Sequence, residues 1–366
     1  MKQAGRIWNK TLDTQMIAWG FTRLACESCV YIRKTDSGVV IAVIHVDDFL
    51  SVSNKKEENE RFKEQMRKVW KISDLGTVKH LLGIAVSWDR PNRLVKLSQT
   101  ALIDKIISQF GQCDATPLSL PMQPGLKLQC IDRSTLSREE LDRIQKLPYR
   151  SLIGCLLYLA TGTRPDIAFA VQQLSQFLDS YTEIHWNAAI RLVRYLKGTR
   201  DLKLHLGGTN QIELLGFTDS DHANAPDRRS VGGYGWSLGS GLCSWSVKKQ
   251  KTVASSTCEA EYVAAFEASR ECIWLRMLLK ALNMPRTSPT RLLCDNQAAI
   301  SLSEDPTLHQ RVKHIDIKYH FLREQVQMEN LELRYIPSRD NIADIFTKPL
   351  KYPNFIRLRS FTGLRL

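Results

Sequence analysis

Four carboxylates in the second half of the chain fall at the ends of predicted elements, where proteins commonly present chemistry. Asp219 closes a predicted strand, 212–218, in the string Phe217-Thr218-Asp219-Ser220-Asp221. Alternation puts Asp219 and Asp221 on one face with Phe217, so spacing does not choose between them. Glu259 and Glu261 can be separated. Ser256-x-x-Glu259 before an apolar-periodic run is a capping box, which gives Glu259 a structural task. Glu261 lies two residues on, about 200° around the helix, and is free to face something else. Asp295 ends a predicted strand, 291–294, and Asp344 falls in the first turn of a last short helix, 341–348, capped by Asp340 or Asn341. One such residue alone reads as a cap or a solvated side chain. The series strand-Asp, helix-Glu, strand-Asp, helix-Asp reads differently. Carboxylates that converge without Lys or Arg partners repel one another unless a divalent cation neutralises them. Oxygen ligands select Mg²⁺ or Mn²⁺, and two ions about 4 Å apart support in-line hydrolysis of a phosphodiester. Scattering of Glu261, Asp295 and Asp344 well away from Asp219, or a lysine or arginine head group plugging the pocket between them, would end this reading.

The elements that must position them follow a βββαβα pattern. Strands are expected at 212–218, 231–238 and 242–247, a long helix at 257–282, and a strand at 291–294. Helices then follow at 296–302 and 316–328, a strand at 331–336, and the helix 341–348 is stopped by Pro349. In the first half, the β-branched run 39–46 reads as a buried strand that delivers Asp47 and Asp48 at its end. Residues 55–70 form an amphipathic helix with Phe62, Met66 and Trp70 on one side. Strands at 81–86 and 94–97 form a hairpin around Pro91-Asn92. The Pro-rich stretch 114–148 is a linker or an extended strap, followed by helices at 149–160, 165–177 and 185–197. On the last of these, Arg191, Arg194 and Lys197 lie away from the buried side, as a stripe that could track phosphates or a solvated face. Lys248, Lys249 and Lys251, beside the third strand of the second half, carry the same two readings.

Composition sets the frame. The 366 residues, 43% hydrophobic and 24% charged, exclude a wholly disordered chain and suggest two or three domains. No apolar run approaches the roughly 18 residues of a membrane span, and the N-terminus lacks a signal-peptide core, so no membrane association and an intracellular place, cytoplasmic or nuclear, are expected. Nine dispersed cysteines suit a reducing compartment, and Cys26-x-x-Cys29 has no second pair. The net charge of +13 is uneven: residues 211–350 hold 17 basic and 17 acidic side chains, whereas 1–210 hold 30 and 21. A basic excess attracts polyphosphate.

Residues 211–350 resemble the ribonuclease H domain of copia-type retrotransposon polyproteins. The strings carrying the likeness are Thr218-Asp219-Ser220-Asp221, Asp227-Arg228-Arg229-Ser230, Ser244 to Gln250, Glu259-Ala260-Glu261-Tyr262, Cys294-Asp295-Asn296-Gln297-Ala298, Lys313-His314-Ile315-Asp316 and Ala343 to Leu350. The resemblance implies that Asp219, Glu261, Asp295 and Asp344 bind two Mg²⁺ ions, with Mn²⁺ a possible substitute, and that the domain cuts the RNA strand of an RNA–DNA hybrid. Many such enzymes carry a histidine shortly before the last Asp that helps product release; the stretch 334–339 contains none.

The same family accounts for the first half. Val46-Asp47-Asp48 after an apolar strand resembles the Tyr-x-Asp-Asp hairpin of a reverse transcriptase palm, with His45 where the family has Tyr. Lys2-Gln3-Ala4-Gly5-Arg6 resembles the nucleotide-site segment, so Gln3 and Gly5 join Asp47 and Asp48 as polymerase-site candidates. Asp74-Leu75-Gly76 and Leu82-Gly83-Ile84 extend the likeness, and Tyr149 to Gly154 with Thr163-Arg164-Pro165-Asp166-Ile167 resembles the linker between polymerase and nuclease. The expected fold is α/β: an α+β palm remnant followed by a ribonuclease H-like mixed sheet with flanking helices. Expected domains are a partial palm at 1–113, thumb- or connection-like helices at 114–210, the nuclease at 211–350 and a basic tail at 351–366. The palm strand bearing the third Asp is expected to be absent, leaving Asp47 and Asp48 to hold metal poorly, so no DNA polymerisation is expected of this chain. Expected partners are RNA, DNA and their hybrid. Two rival readings stand: a non-catalytic remnant that at most binds nucleic acid weakly, and a segment of a complete reverse transcriptase.

Overall fold

A computed structural model describes residues 3–208, 212–223, 227–304 and 316–366. The chain divides into two compact units, Met1–Val78 with Ile273–Thr287, and Lys79–Cys272 with Ser288–Leu366.

The first unit runs α1 (Ala4–Ala18), β1 (Thr22–Arg23), β2 (Val30–Thr35), β3 (Gly38–His45), β4 (Asp48–Ser53) and α2 (Lys56–Val69). Its antiparallel sheet has the order β1-β2-β3-β4. The run expected to be buried throughout alternates instead. Val40, Ala42 and Ile44 of β3 enter a core with Leu12, Met16, Phe62 and Met66, and the other face is half-covered, against Leu278 and Leu282 among others. A meander sheet between two layers of unequal depth produces that asymmetry. Trp70 stops α2 and packs edge-on against Trp8 and Trp19 at 5.6 Å.

The second unit runs β5 (His80–Leu81), β6 (Ile84–Asp89), β7 (Leu94–Ser98), α3 (Thr100–Gln109), α4 (Arg138–Gln145), α5 (Tyr149–Gly162), α6 (Ala168–Ser175), α7 (Glu183–Gly198) and β8 (Lys203–Gly207). It continues with β9 (Leu214–Asp221), β10 (Val231–Leu238), β11 (Leu242–Lys249), α8 (Thr257–Ala281, whose residues from Ile273 count with the first unit), β12 (Thr290–Cys294) and α9 (Gln297–Glu304). The last elements are α10 (Asp316–Gln327), β13 (Leu331–Tyr335), α11 (Tyr352–Phe361) and β14 (Leu364–Arg365). One sheet has the order β14-β8-β7-β6-β5 and is antiparallel throughout. The other, β11-β10-β9-β12-β13, is mixed: its first three strands are antiparallel, and β12 runs parallel to both β9 and β13. This is the expected α/β class, a mixed sheet with flanking helices. Leu152, Leu156 and Leu159 of α5, Val171 and Leu174 of α6, and Leu192 and Leu196 of α7 form one core with Phe217, Val231 and Phe346.

The stretch 114–148 is a strap whose Leu120, Met122 and Leu128 are buried in that core, and it ends in α4, opened by a Ser137/Glu140 capping box. The basic stripe of α7 holds this strap. Arg194 Nε donates to Thr116 O (2.8 Å), and Lys197 Nζ donates to Ala115 O (2.9 Å) and to Cys113 O. Arg191 is half-buried, with its Nε enclosed and unpartnered. A stripe that faces away from its own helix's core thus carries, at Arg194 and Lys197, contacts to another segment of the chain. The last residues also fold. Phe355, Leu358 and Leu364 are buried, and Arg359 donates to the Tyr195 hydroxyl at 3.1 Å.

Candidate metal centre

Asp219 occupies the last turn of register on β9, paired across the sheet with Gly233 of β10, and is 1% exposed. Asp221 is only half-buried, so the structure distinguishes the two residues that alternation left equal. Glu259 and Glu261 separate as well. Ser256 Oγ accepts from Glu259 N (3.1 Å), while the Glu259 carboxylate accepts from Ser255 N and Oγ (2.8 and 2.6 Å). The reciprocal bond thus lands one residue earlier than a strict capping box would place it. Glu261 turns from that cap into the sheet, and its buried Oε2 has no hydrogen-bond partner. Gln250 sets the height of the helix, donating to Ala260 O (2.8 Å) and to Ser220 Oγ of β9 (3.3 Å).

Asp295 follows the end of β12, beside β9 in the sheet. Asp344 lies in a 3₁₀ turn, Ile342–Phe346, where a short α-helix was expected; of the two cap candidates, Asn341 is the cap, its side chain accepting from Ala343 N (3.1 Å) and donating to Thr218 O (2.9 Å). That second bond lashes the turn to β9. Gly233 permits the approach, since a Cβ there would lie 2.4 Å from Phe346 Cβ.

The four carboxylates meet. Oxygens of Asp219, Asp295 and Asp344 lie within 4.8 Å of one another, and so do ligand atoms of Glu261, Cys294 and Asp295. Asp295 is common to both groups. Burial, and after it the charges of Asp219 and Asp295, pushes the Glu261 carboxyl up to about 9. Burial likewise takes Asp219 up to about 7, opposed by Lys348, and raises Asp344 above its ordinary value. An orphaned buried carboxylate oxygen among mutually repelling acids is a donor set short of positive charge, and an oxygen-ligated divalent cation fits it.

One expectation is corrected. The carboxylates do not converge free of basic partners: Lys348 Nζ is 2.9 Å from Asp344 Oδ1 and 3.3 Å from Asp219 Oδ2. Thr347 Oγ1 also donates to Asp219 Oδ2. The ammonium answers two of the four acids. It is carried on a four-carbon stem four residues after Asp344, with its side chain 35% exposed. Among the described residues, no ion pair reaches Glu261 or Asp295. Lys348 and Thr347 were missed by sequence reasoning, although the i, i+4 spacing of Asp344 and Lys348 was a legible signal. Cys294, buried and with its thiol raised chiefly by burial, was missed as a neighbour of the cluster.

The remaining candidates are dispersed. Lys249 is engaged with Asp227 Oδ2 (2.8 Å) and Gln176 Oε1 (2.9 Å); Lys248 and Lys251 are exposed, Lys248 Nζ lying 3.9 Å from Glu267 Oε2. In the first unit, Val46 and Asp47 form the two-residue turn between β3 and β4, with His45 paired to Asp48. Both aspartates are exposed, and neither belongs to a group of three potential ligands among the described residues. Val46 adopts φ +55°, uncommon for a β-branched residue, and its carbonyl accepts from Trp8 Nε1 (2.9 Å). Gln3 and Gly5 are exposed at the start of α1. The string Lys313-His314-Ile315 lies outside the described residues.

Residues 1–124 match the reverse transcriptase (RNA-dependent DNA polymerase) family. The whole chain belongs to the family of copia-type retrotransposon Pol polyproteins. It is 36% identical over 366 residues to the Retrovirus-related Pol polyprotein from transposon TNT 1-94 of Nicotiana tabacum, of which it covers 27%. It is 33% identical, again over its full length, to the corresponding polyprotein from transposon RE1 of Arabidopsis thaliana, covering 24%. A putative transposon Ty5-1 protein of Saccharomyces cerevisiae is 31% identical over 74% of this chain and 86% of its own. The chain thus spans about a quarter of the longer polyproteins it matches. A solved N-terminal ribonuclease H domain from Mycobacterium tuberculosis aligns over 40% of this chain and 96% of that one, with 13% identity and a TM-score of 0.28.

Proposed function

We propose that the second unit is a ribonuclease H-type nuclease that cuts the RNA strand of RNA–DNA hybrids, with Asp219, Glu261, Asp295 and Asp344 holding two Mg²⁺ ions. The observation that carries this reading is the meeting of four acids from four separate elements in two groups that share Asp295. Asp219, Glu261, Asp295 and Asp344 would together hold the ions, Asp295 belonging to both groups of converging ligands. Bound ions would supply an activated water and neutralise charge gathering on the scissile phosphate. The chain's own share is placement. Asn341 and Gly233 bring Asp344 to β9, and Gln250 fixes the helix that carries Glu261. Recognition would rest on backbone shape and 2′-hydroxyls. Of the basic candidates beside β11, we assign to phosphates the exposed Lys251 and Lys248, the latter with Glu267 Oε2 3.9 Å from its Nζ.

For the polymerase segment we expect no primer extension by this chain, since Asp47 and Asp48 offer two exposed carboxylates where a metal needs more oxygen ligands.

The test is incubation of the chain with labelled hybrid in Mg²⁺ or in chelator, beside Asp219→Asn and Asp221→Asn. The proposal requires cuts in RNA only, dependent on metal, lost in Asp219→Asn and largely kept in Asp221→Asn. Metal-independent cleavage, or equal loss in both variants, would overturn the assignment.

A further inference from the structure

The antiparallel sheet β14-β8-β7-β6-β5 carries two unlike faces. On one, Leu97 of β7, Leu204 of β8 and Leu364 of β14 stand in register. On the other, Lys96 stands directly across from His205, and Lys203 directly across from Arg365. Lys203 and His205 are two residues apart on one strand, so all four side chains share that face. Cross-strand like charges destabilise a sheet. Among the described residues none of Lys96, Lys203 and Arg365 forms an ion pair; Asp89, whose carboxylate feels the charge of Lys96, is hydrogen-bonded to Asn92 at 2.9 Å. His205 shows the crowding. Its buried Nε2 has no hydrogen-bond partner, and burial followed by Lys96, Arg365 and Lys203 holds its imidazole below the usual range. Arg365 is exposed and the two lysines are half-buried, with ammonium groups on flexible stems.

Three adjacent strands therefore present positive charge that no ion pair among the described residues answers, at a cost to the fold. We propose that this face is a docking surface for the sugar–phosphate backbone of nucleic acid, gripped by Lys96, Lys203 and Arg365. The occupant follows from charge complementarity and from the hybrid substrate proposed above, on which this inference rests. Contacts of this kind position a duplex without reading its sequence.

The experiment measures binding of a fluorescent RNA–DNA hybrid in chelator, where no metal-dependent cleavage intervenes, across a salt series. The variants are the triple Lys96→Gln/Lys203→Gln/Arg365→Gln and a charge-matched control, Lys56→Gln/Lys68→Gln/Lys105→Gln, at exposed positions elsewhere. Each lost phosphate contact lowers the salt slope by about 0.9, so the first triple should bind with a slope shallower by roughly two to three and an affinity at low salt down about tenfold or more. The control should behave as wild type. In urea the first triple should be at least as stable as wild type, because like charges have been removed. An unchanged slope, an equal loss in the control, or binding lost only along with stability would overturn the proposal. Since binding is read without metal, a wild-type chain that binds through this face but never cleaves would sink the nuclease reading and leave this one standing.

Discussion

Lys348 Nζ bridges Asp344 Oδ1 at 2.9 Å and Asp219 Oδ2 at 3.3 Å, so one ammonium serves two acids that start 125 residues apart in the chain. In the metal-free protein this cation supplies the nearest compensation for a cluster with an excess of negative charge. Lys348→Met should lower metal-free stability by about 1–2 kcal/mol, less than the loss of a partner from a fully buried pair because the lysine is partly solvated. Mg²⁺ should then raise the unfolding midpoint more in the variant than in wild type, having no tethered competitor. Urea unfolding in chelator and in Mg²⁺ reads both effects; equal metal-induced gains in the two proteins would contradict them.

The raised carboxyls make metal-free stability depend on pH in a defined direction. Glu261 moves from 4.5 up to about 9 and Asp219 from 3.8 up to about 7 on folding. Between its unfolded and folded values each group binds more protons in the folded chain, so stability falls as pH rises through that interval. With chelator present, unfolding midpoints should therefore decline from about pH 5 to about pH 9 and level off above. Glu261→Gln, which cannot ionise, should flatten the upper part of the decline and raise stability at its alkaline end, while abolishing cleavage. A midpoint that climbs with pH would show that the acids are already compensated.

Glu259 and Glu261 were separable in sequence because helical geometry alone turns residues two apart to different sides, and Ser256 marked which one caps. Strand 231–238 was legible to the residue from the polar and Gly turns that bound it. What one element's pattern cannot show is what another segment lays over it. Arg194 and Lys197 read correctly as facing away from their helix's buried side, yet the strap that accepts their hydrogen bonds lies about 80 residues earlier. The two-residue strand β14 gains its identity only from pairing with β8, and Lys348 meets Asp219 only once the 3₁₀ turn is docked.

Arg164-Pro165-Asp166, read in sequence as a family signature, has a physical account. Both side chains are fully buried: Arg164 Nη2 is 2.7 Å from Asp166 Oδ2 and from Thr199 Oγ1, and Tyr195 donates its hydroxyl to the same carboxylate. Asp166→Ala would strand a guanidinium in the core of α5, α6 and α7. It should cost about 3–5 kcal/mol, the range for breaking a buried pair from one side. Urea unfolding checks this, and a loss under about 1 kcal/mol would mean that water reaches the arginine.

Gly233 faces Asp219 across the sheet and leaves room for the turn that carries Asp344. A methyl group there would stand 2.4 Å from Phe346 Cβ and 3.2 Å from Thr347 Cγ2, and Phe346 is fully buried, so neither neighbour has free space to retreat into. Overpacking of this kind typically costs about 1–3 kcal/mol. Because the strain falls on the segment that brings Asp344 and Thr347 to Asp219, Gly233→Ala should lose cleavage and metal affinity by more than its stability loss accounts for. Gly154, which has open space at its Cβ position in the helix α5, supplies the control: Gly154→Ala should keep cleavage and gain up to about 1 kcal/mol of stability. Metal titration and hybrid cleavage, both at a temperature where each variant is folded, separate the two. If Gly233→Ala retained metal affinity while losing stability, the 3₁₀ turn would not be what sets the geometry of the acids.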